Sequence, residues 1–140
     1  MFFNKYKKLK WLAYHDSLTG LLNRNWLYEN MHTITQRYVY FIDINNLKEI
    51  NKKGHTFGDE HIKYVIDDIT YRIKCAYSDW INDVFIRYAG DEFILFTNGV
   101  YLETCDLYSV GYSENLIGVK NAIITADSNM IINKENFKKQ

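Results

Sequence analysis

Apolar and polar residues follow one another along this chain in blocks that predict both strands and helices. The segment Tyr38–Ile44 is apolar at nearly every position except Asp43, which is typical of a central strand buried on both faces. Two shorter apolar runs, at about 84–88 and 93–97, flank a glycine and are therefore predicted to form a β-hairpin. A further strand is predicted at 106–112.

Apolar residues at helical spacing predict four main helices around these strands. In the longest, at about 59–76, isoleucine and valine recur every three or four positions and form a stripe that faces the core. Helices are also predicted near 24–34, after an N-capping asparagine, and more weakly at 119–138. The aromatic and lysine-rich segment 2–14 is interpreted as a packing or dimerising helix rather than a membrane-surface helix.

Composition limits the classes of function that the chain can have. Lysine and arginine together number 17, as do aspartate and glutamate, so the formal net charge is zero. No global basic field attracts nucleic acid or a membrane surface, and neither partner is predicted. The two cysteines match no metal-binding spacing and are interpreted as free thiols of a cytoplasmic protein. No apolar run approaches the roughly 20 residues that a membrane-spanning helix needs.

Acidic residues stand at the ends of the predicted buried strands. Asp43 is at the end of the central strand, and Asp91 and Glu92 lie near the tip of the hairpin. Adjacent carboxylates between buried strands repel one another and lose hydration, so a fold rarely keeps them there without a cation. The end of a strand in an α/β fold is a common place for metal or substrate chemistry. The alternative is that these acids only cap or form turns.

Four motifs in order resemble the GGDEF family, the diguanylate cyclases. The matching segments are Asp16–Arg24, Phe41–Ile44 with Lys48 and Asn51, Gly54–Asp59, and Arg87–Phe93. The resemblance covers nearly the whole chain and implies an α/β fold, an α+β sandwich of the polymerase-palm type. Its central sheet is mixed, mostly antiparallel and flanked by helices. The expected organisation is an N-terminal amphipathic helix at 1–15 and one shortened GGDEF domain at 16–140.

The resemblance implies that the chain joins two GTP molecules into cyclic di-GMP and releases pyrophosphate, as a homodimer that uses Mg²⁺ or Mn²⁺. Such phosphoryl transfer needs positioning and charge neutralisation more than covalent help from the protein. The residues that match the family's metal ligands are the carboxylates of Asp43, Asp91 and Glu92 and the carbonyl of Ile44. The three carboxylates are also the implied catalytic residues.

A second group of residues matches the substrate contacts of the family. They are Asn46, Leu47, Lys48, Asn51, His55, Asp59, Lys134 and Lys138. The backbone N–H groups of Asn46 and Leu47 are expected to cradle phosphates, which the three lysines also contact. Asn51 and Asp59 match the guanine contacts, and a carboxylate that accepts from the guanine N1–H and amino groups favours GTP over ATP. His55 either lines the nucleotide pocket or stabilises its loop.

The chain departs from the family pattern at several positions. Ala89 replaces the first signature glycine, Asn45 replaces the second acid of an Asp-x-Asp motif, and one residue is missing between Asn51 and Gly54. A helix that normally follows the hairpin is expected to be deleted, which would leave one sheet face for a dimer partner or the N-terminal helix to cover. Trp80 stands where the family's inhibitory Arg-x-x-Asp motif has arginine, so no product inhibition is expected there.

Three hypotheses on function remain open at this point. The retained acids favour an active, minimal diguanylate cyclase without a fused sensor domain. The lost helix and the shortened loop favour a catalytically silent GTP-binding or interaction module. A relative that makes another cyclic dinucleotide is the third reading, although the carboxylate at Asp59 argues against recognition of adenine.

Overall fold

The structure is a computed structural model that describes residues 2–76, 79–99 and 102–140. Its strands are β1 (Leu22–Asn23), β2 (Tyr38–Ile44), β3 (Val84–Arg87), β4 (Glu92–Thr97) and β5 (Tyr108–Glu114). They form one sheet in the order β1-β3-β4-β2-β5. The β1–β3 pair is parallel and the other pairs are antiparallel, which confirms the predicted mixed, mostly antiparallel sheet.

The helices flank this sheet. They are α1 (Phe2–Tyr14), α2 (Arg24–Asn30), α3 (Leu47–Asn51), α4 (His55–Ala76) and α5 (Val119–Lys138), with 3-10 turns at Met31–Thr33 and Trp80–Asn82. None of the described helices has the length and apolar character needed to cross a membrane. The α+β fold that the sequence predicts is therefore confirmed, with a helical layer on each face of the sheet.

Three predicted boundaries are wrong by a few residues. Helix α4 begins at His55 instead of about 59, because the Gly58 N–H already donates to the Gly54 carbonyl. Helix α2 ends at Asn30, whose side chain donates to the Trp26 carbonyl, a bond within the last turn, and the chain continues as a 3-10 turn. Strand β5 starts two residues later than predicted and runs to Glu114.

Alternate residues of β2 enter two separate cores. Tyr40 and Ile42 pack on one face of the sheet with the apolar stripe of α4. Val39 and Phe41 pack on the other face with residues of α2 and α5. Because side chains of a strand alternate between faces, Asp43 belongs to the α5 face.

Helix α5 lies unusually close to the edge strand β5. A Cβ atom added to Gly111 would lie 2.0 Å from the backbone nitrogen of Met130 and 2.4 Å from the carbonyl oxygen of Ala126. Only glycine therefore allows this approach. The close packing brings the C-terminal half of α5 over the end of β2.

The connection between β4 and β5 is short. Its described residues, 98–99 and 102–107, contain no helix, while residues 100 and 101 lie outside the described part of the chain. Leu102 from this connection is buried in the α4 core, but Tyr112 of β5 is 46% exposed. Helix α1 packs on α2, which contacts β1 and β3 at the opposite edge of the sheet, so α1 does not lie over this region.

Candidate active site

Two neighbouring strands bring the predicted acidic residues to one end of the sheet. Asp43 on β2 is directly opposite Glu92 on β4 in the antiparallel register. The Ile44 N–H donates to the Asp91 carbonyl at 2.9 Å, which fixes the start of β4 beside the end of β2. All four residues predicted as metal ligands therefore lie at the same end of these two strands.

The Asp43 carboxylate is held by a lysine far away in the sequence. Its Oδ2 atom accepts a hydrogen bond of 2.7 Å from Lys134 Nζ on α5. Its Oδ1 atom is buried and has no hydrogen-bond partner among the described residues. Lys134 is predicted to contact a phosphate group, whereas in this structure it contacts the Asp43 carboxylate.

The surroundings of these carboxyl groups favour their neutral forms. Burial raises the pKa of Asp43; Lys134 lowers it, but the Asp91 carboxylate raises it again. Burial also raises the pKa of Glu92, followed by repulsion from Asp91 and Asp43. A cluster of carboxylates whose charges repel one another gains stability from a bound cation.

The donor set at this place fits a hard divalent cation. Mg²⁺ prefers oxygen ligands and is commonly bound by one or two carboxylates together with water and substrate phosphates. The partnerless Oδ1 of Asp43 supplies such an oxygen, and Asp91 and Glu92 lie beside it. Among the described residues, no three acidic, histidine or cysteine side chains already form a closed metal centre. Substrate or water oxygens would therefore have to complete the ligand shell.

A cavity of about 310 Å³ opens between the end of β2 and the C-terminal part of α5. It is lined by Asn45, Asn46, Asp106, Ser109, Lys134, Phe137 and Lys138. Three of these residues, Asn46, Lys134 and Lys138, are among the predicted phosphate contacts, so the fold brings them together. Asn46 has φ of +60°, the left-handed conformation that turns the chain from β2 into α3. Lys48, on α3, and the buried Leu47 are not part of this lining.

The residues predicted to contact guanine lie around the start of α4. Asn51 is the last residue of α3, and its carbonyl accepts from the Gly54 N–H at 3.0 Å. This bond, with Gly54 at φ of +129°, closes the loop that is one residue shorter than the family pattern. His55 and Asp59 are exposed and lie one turn apart on the same side of α4.

Gly58 makes room for the Asn51 side chain. A Cβ atom added to Gly58 would lie only 1.7 Å from Asn51 Oδ1. The amide of Asn51 therefore occupies the space that any larger residue at position 58 would take. The role of this glycine could not be predicted, because nothing in a linear pattern places it against the preceding helix.

A second ion pair ties the first motif to the signature turn. Arg87 Nη1 lies 3.0 Å from Asp16 Oδ1, and Arg87 Nη2 donates to the Gly90 carbonyl at 2.8 Å. Burial acts to raise the pKa of Asp16, but hydrogen bonds from Thr19 and the Arg87 guanidinium hold that pKa below its usual range. Both residues belong to the matching motifs, but the motifs alone give them no role; their opposite charges are the only signal for this pairing in the sequence.

Comparison with known proteins gives the family. Residues 13–123 match the family described as diguanylate cyclase, GGDEF domain, and the chain belongs to this family. It is 33% identical over 107 residues to diguanylate cyclase DgcM of Escherichia coli, a match that covers 70% of this chain and 25% of that protein. It is 38% identical over 94 residues to cyclic di-GMP phosphodiesterase NbdA of Pseudomonas aeruginosa, covering 61% and 11% respectively.

Solved structures agree with this fold. The GGDEF domain of DgcB from Caulobacter crescentus, solved in complex with c-di-GMP, has a TM-score of 0.65 and 22% identity, with 89% of each chain covered. At this identity the likeness shows the fold alone.

The chain spans at most about a third of the length of the curated relatives it matches, and their names include both cyclases and phosphodiesterases.

Proposed function

We propose that this chain is a diguanylate cyclase that condenses two GTP molecules into cyclic di-GMP and releases pyrophosphate. One observation carries the proposal. The largely buried carboxylate of Asp43, with an unpartnered oxygen, lies beside two further acids and accepts a hydrogen bond from Lys134, which lines the neighbouring cavity together with Lys138. Carboxylates that hold a cation next to cationic phosphate contacts are what phosphoryl transfer requires.

Some residues of the site are assigned to binding the phosphates, and Asp91 is assigned to the reacting hydroxyl. A bound Mg²⁺ or Mn²⁺, held by Asp43, Asp91, Glu92 and the Ile44 carbonyl, would supply charge neutralisation at the phosphates. Lys134 and Lys138 bind the triphosphate from α5; because an ammonium group has three donors, Lys134 can keep its bond to Asp43 and contact a phosphate as well. Asp91 is the proposed acceptor of the proton from the attacking 3′-hydroxyl.

Base recognition is assigned to the start of α4. The Asp59 carboxylate accepts from the guanine N1–H and exocyclic amine, a paired donor edge that adenine lacks. Asn51, held in place beside Gly58, provides the second contact, and His55 lines the same side of the helix. This arrangement supports GTP rather than ATP as the substrate.

Ring closure needs two such sites that face each other. Each protomer presents one GTP, and the 3′-hydroxyl of one nucleotide attacks the α-phosphate of the other. A homodimer is therefore part of the proposal, and it makes the rate depend on the concentration of the protein.

A silent nucleotide-binding module is the second candidate. It is favoured by the Lys134 ammonium, which already forms an ion pair with Asp43. In this alternative the domain binds GTP at the same residues but does not turn it over. A cyclase with another cyclic dinucleotide product is less well supported, because Asp59 is retained.

One experiment separates these functions. The purified protein is incubated with GTP, ATP or both in Mg²⁺, and products are identified by mass spectrometry. We expect cyclic di-GMP from the wild type, none from Asp91→Ala, and wild-type amounts from Asp67→Ala, which removes an exposed acid on α4. GTP binding without any product would establish the silent module, and an adenine-containing product would overturn the assignment of Asp59.

A further inference from the structure

The side chain of Asn45 joins the end of β2 to the short connection that precedes β5. Its Nδ2 atom donates to the carbonyls of Cys105 at 2.9 Å and Asp106 at 3.2 Å. Its Oδ1 atom accepts from the Ser109 hydroxyl at 2.8 Å. Both amide protons and the amide oxygen are thus used in one direction, toward a segment about 60 residues further along the chain.

The backbone of the same residue adds a fourth bond. The Asn45 N–H donates to the Leu107 carbonyl at 3.0 Å. These four contacts, between Asn45 and residues 105–109, are called the Asn45 clamp. The connection is also bonded to β5, since the Cys105 N–H donates to the Tyr108 carbonyl at 2.9 Å and the Val110 N–H to Thr104 Oγ1 at 3.0 Å. The described part of this connection is held in this way by hydrogen bonds in addition to the apolar packing of Leu102.

The clamp lies at the candidate phosphate site. Asn45 is two residues after Asp43 and directly before Asn46, whose left-handed backbone turns the chain into α3. Asn45, Asp106 and Ser109 contribute to the lining of the 310 Å³ cavity that also contains Lys134 and Lys138. Movement of the clamped segment would therefore change the shape of the cavity without touching either lysine.

We propose that Asn45 is a positioning residue, which holds residues 105–109 as one wall of the phosphate cavity. This inference rests on the proposed function and deepens it. It also assigns a reason for an amide at this position, where the family pattern has an acid. A carboxylate has no N–H to donate, so the two carbonyls of Cys105 and Asp106 would lose their partners and face additional lone pairs. It would also add a negative charge where phosphate binds.

The test compares Asn45→Asp, Asn45→Ala and Ser109→Ala with the wild type. The matched control is Asn121→Asp, the same chemical change at an exposed position in the first turn of α5, roughly 20 Å along the helix from Lys134. Hydrogen exchange measured by mass spectrometry follows the amides of residues 102–110. We expect exchange there to be at least tenfold faster in both Asn45 variants, less affected in Ser109→Ala, and unchanged in the control.

Phosphate binding is measured separately, by titration calorimetry with inorganic tripolyphosphate in Mg²⁺. The expected affinity is at least tenfold lower for Asn45→Asp, lowered less for Asn45→Ala, which adds no charge, and unchanged for Asn121→Asp. Wild-type exchange and affinity in Asn45→Asp would overturn the inference. Faster exchange with unchanged tripolyphosphate affinity would also overturn it, because the clamp would then be only structural.

Two further outcomes keep the inference separate from the proposed function. If the Asn45 variants exchange rapidly throughout the chain, Ser109→Ala decides, since it removes one bond only and must affect residues 102–110 alone. If the wild type binds tripolyphosphate but forms no cyclic di-GMP, the cyclase proposal fails while the role of Asn45 stands. If the wild type does not bind tripolyphosphate, the role of Asn45 at a phosphate site is wrong.

Discussion

Individual residues in this site are placed by contacts that a larger or differently charged side chain would destroy. The clearest case is Gly58, because the space of its missing side chain is filled by the Asn51 amide. The contacted atom is the end of a flexible side chain, so an added methyl group is expected to move Asn51 more than it strains the backbone. Position 58 therefore controls a proposed base contact without touching the base.

Gly58→Ala should raise the KM for GTP at least fivefold and change the melting temperature by only a few degrees. The reason is that the Asn51 amide must move away from position 58. The stability changes little because alanine favours the helical conformation more than glycine does. Steady-state kinetics of Gly58→Ala, Asn51→Ala and the double variant provide the measurement. If Gly58 acts through Asn51, the double variant is no worse than Asn51→Ala; additive losses would contradict this.

Lys134 is the second residue whose contact matters at this scale, because it forms the ion pair with the Asp43 carboxylate. Lys134→Met removes the partner of a buried carboxylate, so the folded chain should lose about 1–3 kcal/mol of stability at pH 7 without metal. Chemical denaturation measures this loss. Lys138→Met is the matched control, because it removes the same charge from the same helix without a bond to Asp43. Equal stability of the two variants would show that the Asp43 contact is not formed in solution.

At the scale of elements, the ion pair between Asp16 and Arg87 connects the segment after α1 to the β3–β4 hairpin. Both side chains are largely buried, so this contact is shielded from salt more than a surface ion pair. Since the pKa of Asp16 is lowered in the folded chain, the charged carboxylate stabilises the fold. That contribution is complete above the pKa of the unfolded chain, about pH 4, and is lost as the pH falls through the lowered value.

Asp16→Asn should therefore be less stable than the wild type at pH 6 by about 1–2 kcal/mol, with a difference that shrinks toward pH 3. Urea denaturation at both pH values checks the prediction. Asp67→Asn, at an exposed position on α4, should leave stability unchanged at either pH. A difference in Asp16→Asn that stays constant between pH 6 and pH 3 would argue against the charge as its cause.

The resemblance to the family places its inhibitory motif at the 3-10 turn Trp80–Asn82. An arginine guanidinium binds a phosphate through two N–H groups at once, and the Trp80 side chain offers no such pair of donors. Cyclic di-GMP is accordingly expected not to bind at this turn. Calorimetry with the wild type and with Trp80→Arg tests this: restored product binding in the variant supports the interpretation, and tight binding to this turn in the wild type refutes it.

The elements themselves could largely be predicted from the sequence, because continuous apolar runs and helical spacing report burial directly. The predicted start of α4 is about four residues too late because Gly54, Thr56 and Gly58 make that stretch polar and glycine-marked, although its first turn is helical. The contacts of the site could not be predicted in this way, because they join residues that are far apart in the sequence. Lys134 reaches Asp43 across 91 residues and Asn45 reaches Cys105 across 60, and no local pattern encodes such pairings.

For the whole molecule, the proposed reaction requires that the sites of two protomers meet. Helix α1 leaves Phe3, Tyr6 and Leu9 more than half exposed in the single chain. An exposed apolar stripe on a helix is typical of an interaction surface, which agrees with the interpretation of this segment as a dimerising helix. The proposed reaction would then be controlled by association of protomers.

Leu9→Glu should shift the chain toward the monomer in analytical ultracentrifugation and lower the specific activity at low protein concentration. The charged side chain cannot be buried in a helix–helix contact without a partner. Lys5→Glu, which changes an already charged position of the same helix, is expected to leave the sedimentation coefficient unaltered. A Leu9→Glu variant that remains dimeric and fully active would exclude α1 as the dimer contact.

The position of β2 in the sheet has a consequence for folding kinetics. This interior strand pairs on both sides with strands that come at least 48 residues later in the chain, counted from Ile44 to Glu92. Such non-local pairing requires long loops to close, and the entropy cost of closure comes before the stabilising contacts form. Folding is therefore expected to be slow for a chain of this size. Asp43 receives its lysine only when α5 docks on the completed sheet. Until that step the Asp43 carboxylate is best stabilised by protonation or by a cation from solution. A divalent metal bound there stabilises the state before α5 docks and competes with Lys134, so it should slow the last phase of refolding.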